Sequence, residues 1–311
     1  MIFIWKIREL NLSMKNPSNN LCAIIVTYNP SVEHVIGLAS NLREQNSDVL
    51  IVDNSPSINE LLANHNVFNY IWLGGNKGIA AAQNVGIKKC LDEHYEYLIF
   101  FDQDSKISSH FISSLSNPMI DNQYQVCAPV FFDETRGFEY AITDIRKNGK
   151  RVKLYSKNST EPFTSSVVIS SGTLVRKDVF NTVGLMDEGL FIDYVDTEWC
   201  LRCFDKGILV YIIPQAKMLH SIGDRSFDIF GFCVPVHSAV RRYYRVRNSI
   251  HLLKYPHVPK LLAAREIVFS FIHSMILVIK QPDKKSYLKS FLTALIDGVR
   301  GVRGENPRTH R

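Results

Sequence analysis

Asp102 and Asp104 stand one residue apart in Phe101-Asp102-Gln103-Asp104-Ser105, directly after the apolar run Tyr97–Phe101. Two hard carboxylates so spaced suit Mg²⁺ or Mn²⁺, a cation that also grips a diphosphate. Asp and Ser equally favour turns, so the pair needs its context. The densest polar block of the chain, Asp187 to Arg202, supplies further carboxylates, among them Asp193, Asp196 and Glu198. A carboxylate there can take a proton as a general base. Asp196 is also placed to N-cap a helix over 197–206, which Gly207 ends. Smaller polar groups recur at Thr27 and Asn29, at Asp53 and Asn54, at Asn76 and at His220. Gly74-Gly75-Asn76-Lys77-Gly78 is a glycine-rich turn ahead of a helix, where backbone N–H groups can face a ligand. The Gly-x-Gly-x-x-Gly spacing is absent, which discounts a nicotinamide cofactor.

The elements that carry these residues are legible from periodicity. A continuous apolar run such as 97–101 reads as a strand buried on both faces of a parallel sheet. Ligands in open α/β sheets bind at the carboxyl ends of strands. Leu21–Val26 is a second such run, followed by Thr27-Tyr28-Asn29-Pro30, with Pro30 placed to open a helix. Val32, Val35, Ile36, Ala39 and Leu42 keep helical spacing, and Val49–Val52 is the next strand. Strand, helix and strand with short connections form a right-handed βαβ unit. Tyr70–Leu73 adds a short strand and residues 79–89 a helix. Each strand closes on a polar cluster, and these clusters line one rim of the sheet.

Further on, Val126–Phe132 reads as a strand and residues 133–165 as a hairpin or mobile loop. Residues 165–175 read as a strand turning at Ser171-Gly172, 176–184 as a short helix with a Gly stop, and 208–214 as a strand leading to Leu219-His220-Ser221-Ile222-Gly223.

The 311 residues are 46% hydrophobic and 21% charged, ordinary for a soluble globular protein. The formal charge of +6 suits an anionic ligand or membrane surface and is too diffuse to argue for nucleic acid. Six scattered cysteines, mostly in apolar stretches, fit a reducing compartment. Cys200 and Cys203 have Cys-x-x-Cys spacing, but no second pair completes a zinc site. The apolar start, Met1–Trp5, is too short for a signal-peptide core, and no stretch reaches the roughly 18 apolar residues of a membrane span. These features place the chain in the cytoplasm. Residues 1–20 read as a loose leader and 236–311 as a helical basic tail. That tail carries Arg241, Arg242, Arg245 and Arg247 among Tyr243 and Tyr244, and an apolar run over 267–279. Such a run fits an interfacial or a buried helix. The arginines suit anionic head groups and the tyrosines a membrane interface; burial in a homo-oligomer would look the same in sequence.

Ala23–Pro30, Val52–Ser55, Asn76–Ala80 and Phe101–Ser105 resemble the nucleotide-binding half of family-2 inverting glycosyltransferases. Ser171-Gly172-Thr173, Phe191–Arg202 and Leu219–Gly223 resemble the acceptor half. Asp-Gln-Asp-Ser and Ile-Asp-Tyr-Val-Asp-Thr-Glu-Trp look most like bacterial rhamnosyltransferases. The resemblance spans residues 21–250. It implies an α/β GT-A fold over 21–235, a Rossmann-like mixed sheet flanked by helices, with a C-terminal helical tail. It implies single-displacement transfer of L-rhamnose from dTDP-L-rhamnose to a lipid-linked surface polysaccharide. The enzyme would then work as a peripheral protein at the inner face of the plasma membrane. Another hexose or galactofuranose donor, or a non-catalytic nucleotide-sugar-binding subunit, are the alternatives. By the same resemblance Asp102 and Asp104 hold Mg²⁺ or Mn²⁺ at the donor diphosphate, with His220 completing the metal shell. Thr27 and Asp53 match positions that hold base and ribose, with Asn29, Asn76 and Gln103 beside them. Asp196 is the base, standing where many relatives carry the second residue of a Glu-Asp pair; Asp193 and Glu198 are the nearby alternatives.

Overall fold

The computed structural model describes residues 20–134, 137–220, 226–229 and 232–308, with backbone alone at 220, 226–229 and 232–235. Of the leader read over 1–20, all but Asn20 lies outside the described residues. The chain opens with β1 (Leu21–Thr27), α1 (Val32–Glu44), β2 (Asp48–Asp53), α2 (Glu60–Ala63), β3 (Asn69–Trp72), α3 (Ile79–Asp92) and β4 (Tyr97–Asp102). It continues through β5 (Lys106–Ile107), α4 (Phe111–Asp121), β6 (Val126–Asp133), the hairpin β7 (Ile142–Ile145) and β8 (Arg151–Leu154), then β9 (Phe163–Ser165) and β10 (Leu174–Arg176). Next come α5 (Asp178–Val183), α6 (Val195–Asp205), β11 (Val210–His220), and the ribbon β12 (Ser226–Ile229) and β13 (Phe232–Pro235). Three helices close the chain: α7 (Ala239–His251), α8 (Lys260–Lys280) and α9 (Lys284–Arg300).

The central sheet runs β3-β2-β1-β4-β10-β6-β11-β5, with β9 also on β11. β3, β2, β1 and β4 are mutually parallel, whereas β10 is antiparallel to both neighbours, so the sheet is mixed. β1 is buried along its whole length because nothing polar interrupts it before Thr27. Alternate residues face opposite layers. Ile24, Val26, Leu50 and Phe100 pack in one core with Ala80, Ala82 and Ile87 of α3. Ala23, Ile25, Ile51 and Phe101 pack in the other with Val35, Leu38 and Leu42 of α1. Burying each of the Val, Leu, Ile and Phe side chains contributes about 1.5–3 kcal/mol. Parallel register then brings the polar strand ends together: Thr27 lies beside Asp53, Val26 beside Asp102, and Asp53 beside Trp72.

Three expectations are corrected. Residues 165–175 do not form one strand; β9 and β10 flank an irregular stretch. Ser165 Oγ bonds the Val167 carbonyl, Thr173 Oγ1 bonds that of Ile169, and Gly172 takes φ +73°. Side-chain hydroxyls that bond local backbone compete with a ladder. Second, Asp196 is not the N-cap of its helix. The helix begins at Val195, the cap position is Tyr194 in the left-handed region, and Asp196 sits inside the first turn. Third, α8 extends past the apolar run on both sides; the helix is long and apolar enough to cross a bilayer by length and composition, and about a third of its most apolar 18-residue stretch is buried against protein.

The helices read as the tail contact the segment ahead of α6. α7 packs on α8 and α9 and reaches the segment ahead of α6. Arg242 and Arg247 are 2% and 0% exposed and point inward. Arg242 donates to the Ser270 carbonyl and to Ser274 Oγ on α8, at 2.9 and 3.0 Å. Arg241 and Arg245 lie 3.5 and 3.6 Å from Asp193. Of the arginines read as head-group contacts, Arg242 and Arg247 are buried within the chain, and Arg241 and Arg245 face Asp193 while staying partly exposed.

Candidate active site

The site forms where the rim of β1, β2 and β4 meets the start of α6. On the donor side, Asp53 is fully buried. Its Oδ1 accepts from Thr27 Oγ1 at 3.0 Å and from the backbone and hydroxyl of Ser55 at 3.0 and 2.5 Å. Its Oδ2 accepts from the Tyr70 hydroxyl at 2.5 Å. That network fixes the β1–β2 rim, and burial raises the Tyr70 phenol above its ordinary range. Asn29 is exposed in the left-handed region, and its N–H donates to Ser55 Oγ at 2.8 Å. Asn54 Nδ2 donates to Asn76 Oδ1 at 3.1 Å, while Asn54 Oδ1 accepts from the Lys77 N–H at 2.6 Å. Gln103 Oε1 accepts from the Tyr28 N–H at 2.7 Å, tying the β4 exit to the β1 exit. Thr27, Asn29, Asp53, Asn76, Asp102 and Gln103 therefore occupy one rim, as strand-end chemistry predicts.

Asp102 is half-buried and Asp104 exposed at the exit of β4. The Asp102 N–H donates to Ser171 Oγ at 3.3 Å, and Ser171 Oγ lies 3.0 Å from Ser105 Oγ. This clasp joins the carboxylate pair to the Ser170–Thr173 turn. Asp196 reaches the same place from α6. Burial, then the neighbouring Asp102 charge, push its carboxyl up to about 6, against hydrogen bonds from the Ser170 backbone and hydroxyl that act the other way. Ser170 Oγ in turn accepts from Gln83 Nε2 at 2.9 Å. The walls beside Asp196 are Phe100, Val168, Met186 and Trp199, which accounts for the desolvation.

The two other carboxylates of the block are differently housed. Glu198 is 2% exposed, gripped by Arg202 through two hydrogen bonds of 2.9 and 2.7 Å, and lies 2.9 Å from His257 Nε2. Asp193 is turned to the arginines of α7. Asp196 is the member of the block that shares a rim with Asp102. Cys200 and Cys203 are buried free thiols; burial pushes Cys200 up to about 12 and raises Cys203 as well. His220 ends β11, but its side chain lies outside the described residues, as do residues 221–225.

The segment ahead of Asp196 is held in unusual backbone. Phe191 has φ 66° and ψ −63°, and the Ile192 N–H reaches back to the Leu190 carbonyl at 2.8 Å, a γ-turn of the rare sense. Asp193 and Tyr194 both have φ 63°. Non-glycine residues in such regions cost on the order of 1–3 kcal/mol each and persist where surroundings over-determine them. Neither this strain nor the pairing of Ser170 with Asp196 is legible in the order of residues, because both depend on contacts between distant segments.

Hard carboxylate oxygens at an open rim fit Mg²⁺ or Mn²⁺, which keeps several waters and takes phosphate oxygens. Burial contributes most to the raised proton affinity of Asp196, and the Asp102 charge adds to it; a cation at the rim would offset that second contribution. Among the described residues no three His, Cys, Asp or Glu side chains cluster to hold a metal by themselves. A separate cavity of about 590 Å³ opens between the β7–β8 hairpin and Phe204 near the far end of α6, and none of the rim residues lines it.

Comparison with known proteins bears on this geometry. The Glycosyl transferase family 2 model matches residues 22–184. The dTDP-rhamnosyl transferase RfbF of Shigella flexneri is 50% identical over 289 residues, covering 92% of this chain and 98% of that protein. Among solved structures, GalNAc-T7 with UDP, GalNAc and Mn²⁺ superposes with a TM-score of 0.55 at 14% identity, over 85% of this chain and 58% of that one. S. aureus TarS 1–349 in complex with UDP-GlcNAc gives 0.56 at 15% identity, over 91% of this chain and 81% of that one. At such identities these two structures speak to the fold alone, and this chain spans little more than half of the first.

Proposed function

This chain belongs to glycosyl transferase family 2, and from that membership we propose that it transfers L-rhamnose, with inversion, from dTDP-L-rhamnose to a lipid-linked surface polysaccharide such as an O-antigen intermediate. The observation that carries the chemistry is the pairing of Asp102 with Asp196 on one rim, where Asp196 has a proton affinity near neutrality. A general base works best with a pKa near the operating pH. The donor assignment draws its support from the 50% identity to a dTDP-rhamnosyl transferase over nearly its whole length.

In this reading the acceptor hydroxyl lies against Asp196, whose carboxylate takes the proton. The acceptor oxygen attacks the anomeric carbon from the face opposite the diphosphate. The bond from that carbon to the diphosphate oxygen breaks, and the configuration inverts. Ser170 and Gln83 hold Asp196 in place. Thr27, Asn29, Asp53, Asn76 and Gln103 shape the rim that takes base and ribose. Asp102 and Asp104, with His220, would hold Mg²⁺ or Mn²⁺, which when bound supplies positive charge to the leaving diphosphate.

A lipid-linked acceptor requires work at a membrane surface, and α8 and α9 support this. On α8 the polar Glu266, Ser270 and Ser274 are buried, while Val268, Phe271 and Ile279 are 54%, 50% and 67% exposed. Leu288, Leu292, Ile296 and Val299 of α9 are exposed as well. Lys280, Lys284, Lys285 and Lys289 adjoin these positions in the sequence. Exposed apolar residues with basic neighbours suit the interface of an anionic bilayer. In this reading the protein is a peripheral enzyme on the cytoplasmic face.

The decisive experiment for the donor is a mass-spectrometric screen of nucleotide sugars against a lipid-linked acceptor. Transfer from dTDP-L-rhamnose is expected. Turnover with a different sugar alone overturns the donor assignment, and no turnover with any overturns the catalytic reading.

A further inference from the structure

The helix α7 is the first element of the tail, yet its buried polar groups are aimed at the segment that precedes Asp196. Asn248 is fully buried. Its Nδ2 donates to three carbonyls of that segment: Leu190 and Ile192 at 2.8 Å, and Asp193 at 3.1 Å. The orientation of this amide is fixed by its neighbour. Asn248 Oδ1 accepts from Arg247 Nε and Nη2 at 3.0 and 2.9 Å, so the NH₂ group must face the carbonyls. Arg247, also fully buried, spends its remaining donors on the carbonyls of Gly189, Leu190 and Gly304 at 3.2, 3.0 and 2.5 Å.

These bonds fall on the strained residues. The Leu190 carbonyl accepts from Asn248, from Arg247 and from the Ile192 N–H that closes the γ-turn at Phe191. Asn248 also takes the carbonyl of Asp193, which has φ 63°. The same turn is pinned by further contacts. The Phe191 ring stacks on Tyr244 of α7 with centroids 4.6 Å apart, and a Cβ at Gly78 would come within 2.6 Å of the Phe191 carbonyl. Arg241, Arg245 and Asn248 lie four and three residues apart, one stripe of a helix. All three engage Asp193.

We infer that Asn248, oriented by Arg247, is a positioning residue for catalysis: it holds the 190–194 turn in a conformation the chain does not favour alone, and so sets Asp196 against the Asp102 rim. This rests on Asp196 being the base. Asn248 touches neither rim carboxylate, so it acts on the chemical step and not on donor binding. A displacement of about 1 Å at the reacting groups can cost on the order of 10²-fold in rate.

The test uses the full-length protein with Mg²⁺, dTDP-L-rhamnose and acceptor. Asn248→Ala removes the donors. Asn248→Asp keeps the size and the acceptor for Arg247 but turns an oxygen toward the three carbonyls, and it serves if the alanine variant folds poorly. Arg245→Gln, at a partly exposed position, loosens Asp193 with Asn248 intact. Calorimetric titration with dTDP counts binding-competent sites, so kcat is read per folded molecule. For Asn248→Ala and Asn248→Asp we expect kcat to fall about 10–100-fold, with dTDP affinity and donor KM unchanged, and for Arg245→Gln a smaller fall of the same kind. Wild-type kcat in the Asn248 variants, or dTDP affinity falling in step with kcat, overturns the inference. Asp196→Asn run alongside separates the two readings. If it turns over normally, the base assignment fails; if it is inactive while Asn248 variants are normal, only the positioning role fails.

Discussion

Replacing Asp196 by asparagine should make the protein a worse catalyst and a more stable fold at once. In the folded state burial and the nearby Asp102 charge raise the Asp196 carboxyl from its ordinary 3.8 to about 6. The folded protein therefore binds this proton more tightly than the unfolded chain does. Below the unfolded pKa the group is neutral in both states and carries no penalty. As pH rises from about 4 through about 6, stability is lost, and above that the loss is complete. The rise corresponds to about 3 kcal/mol at most. Asp196 retains some solvent contact, and screening brings the expected cost to about 1–3 kcal/mol. A side-chain amide at this position cannot ionise, so the melting temperature of Asp196→Asn should exceed wild type at pH 8, with the gap closing toward pH 4. The same substitution should lower kcat by about 10²–10⁴-fold, with dTDP binding kept. In wild type, kcat/KM should fall as pH drops through about 6, because the base becomes protonated. Thermal melts at both pH values and steady-state kinetics decide the matter. Near-normal turnover of Asp196→Asn, with Asp193→Asn or Glu198→Gln inactive, would refute the base assignment; an unchanged melting temperature at pH 8 would refute the buried-charge argument.

Metal dependence is tested at the carboxylate pair. Asp102→Ala or Asp104→Ala should abolish transfer and weaken dTDP binding only when Mg²⁺ or Mn²⁺ is present, and full wild-type activity in EDTA would exclude the cation. Gly78→Ala places a Cβ 2.6 Å from the Phe191 carbonyl in a backbone with φ +87°; it should lower kcat strongly by displacing the turn before Asp196, and normal kinetics would show that the contact yields without consequence. Wild type should float with anionic vesicles, less so in high salt, whereas Phe271→Ser combined with Leu292→Ser should not; equal flotation of both would remove α8 and α9 as the membrane face. Deleting the tail is not an equivalent test, because Glu266 of α8 accepts from Tyr194 at 2.9 Å and the deletion would disturb the site itself.

The strand ends were legible because their causes are local. Runs such as Leu21–Val26 and Val49–Val52 are short, apolar and bounded by turn residues, which reads as buried strands; a polar residue closes each one, and the parallel register collects Thr27, Asp53 and Asp102 on one rim. The acceptor side was legible as a set of carboxylates but not as an arrangement. Asp193, Asp196 and Glu198 are alike in type and close in sequence; what distinguishes them is arginine on α7 for the first, the Asp102 rim and Ser170 for the second, and Arg202 with His257 for the third. Most of those partners lie far along the chain, and no periodicity encodes them. The same holds for the tail. Basic and aromatic residues at 241–247 look like a surface in sequence, because Arg and Tyr are usually exposed or interfacial. Tertiary packing buries Arg242 and Arg247 by giving their guanidinium groups backbone carbonyls and hydroxyls to bond. Sequence by itself determined the parallel β1–β4 part of the sheet and the polar residues on its rim; the fold alone decided how β9 and β10 join the sheet and which carboxylate meets that rim, because a long-range hydrogen bond or a shared charge depends on where distant segments come to rest.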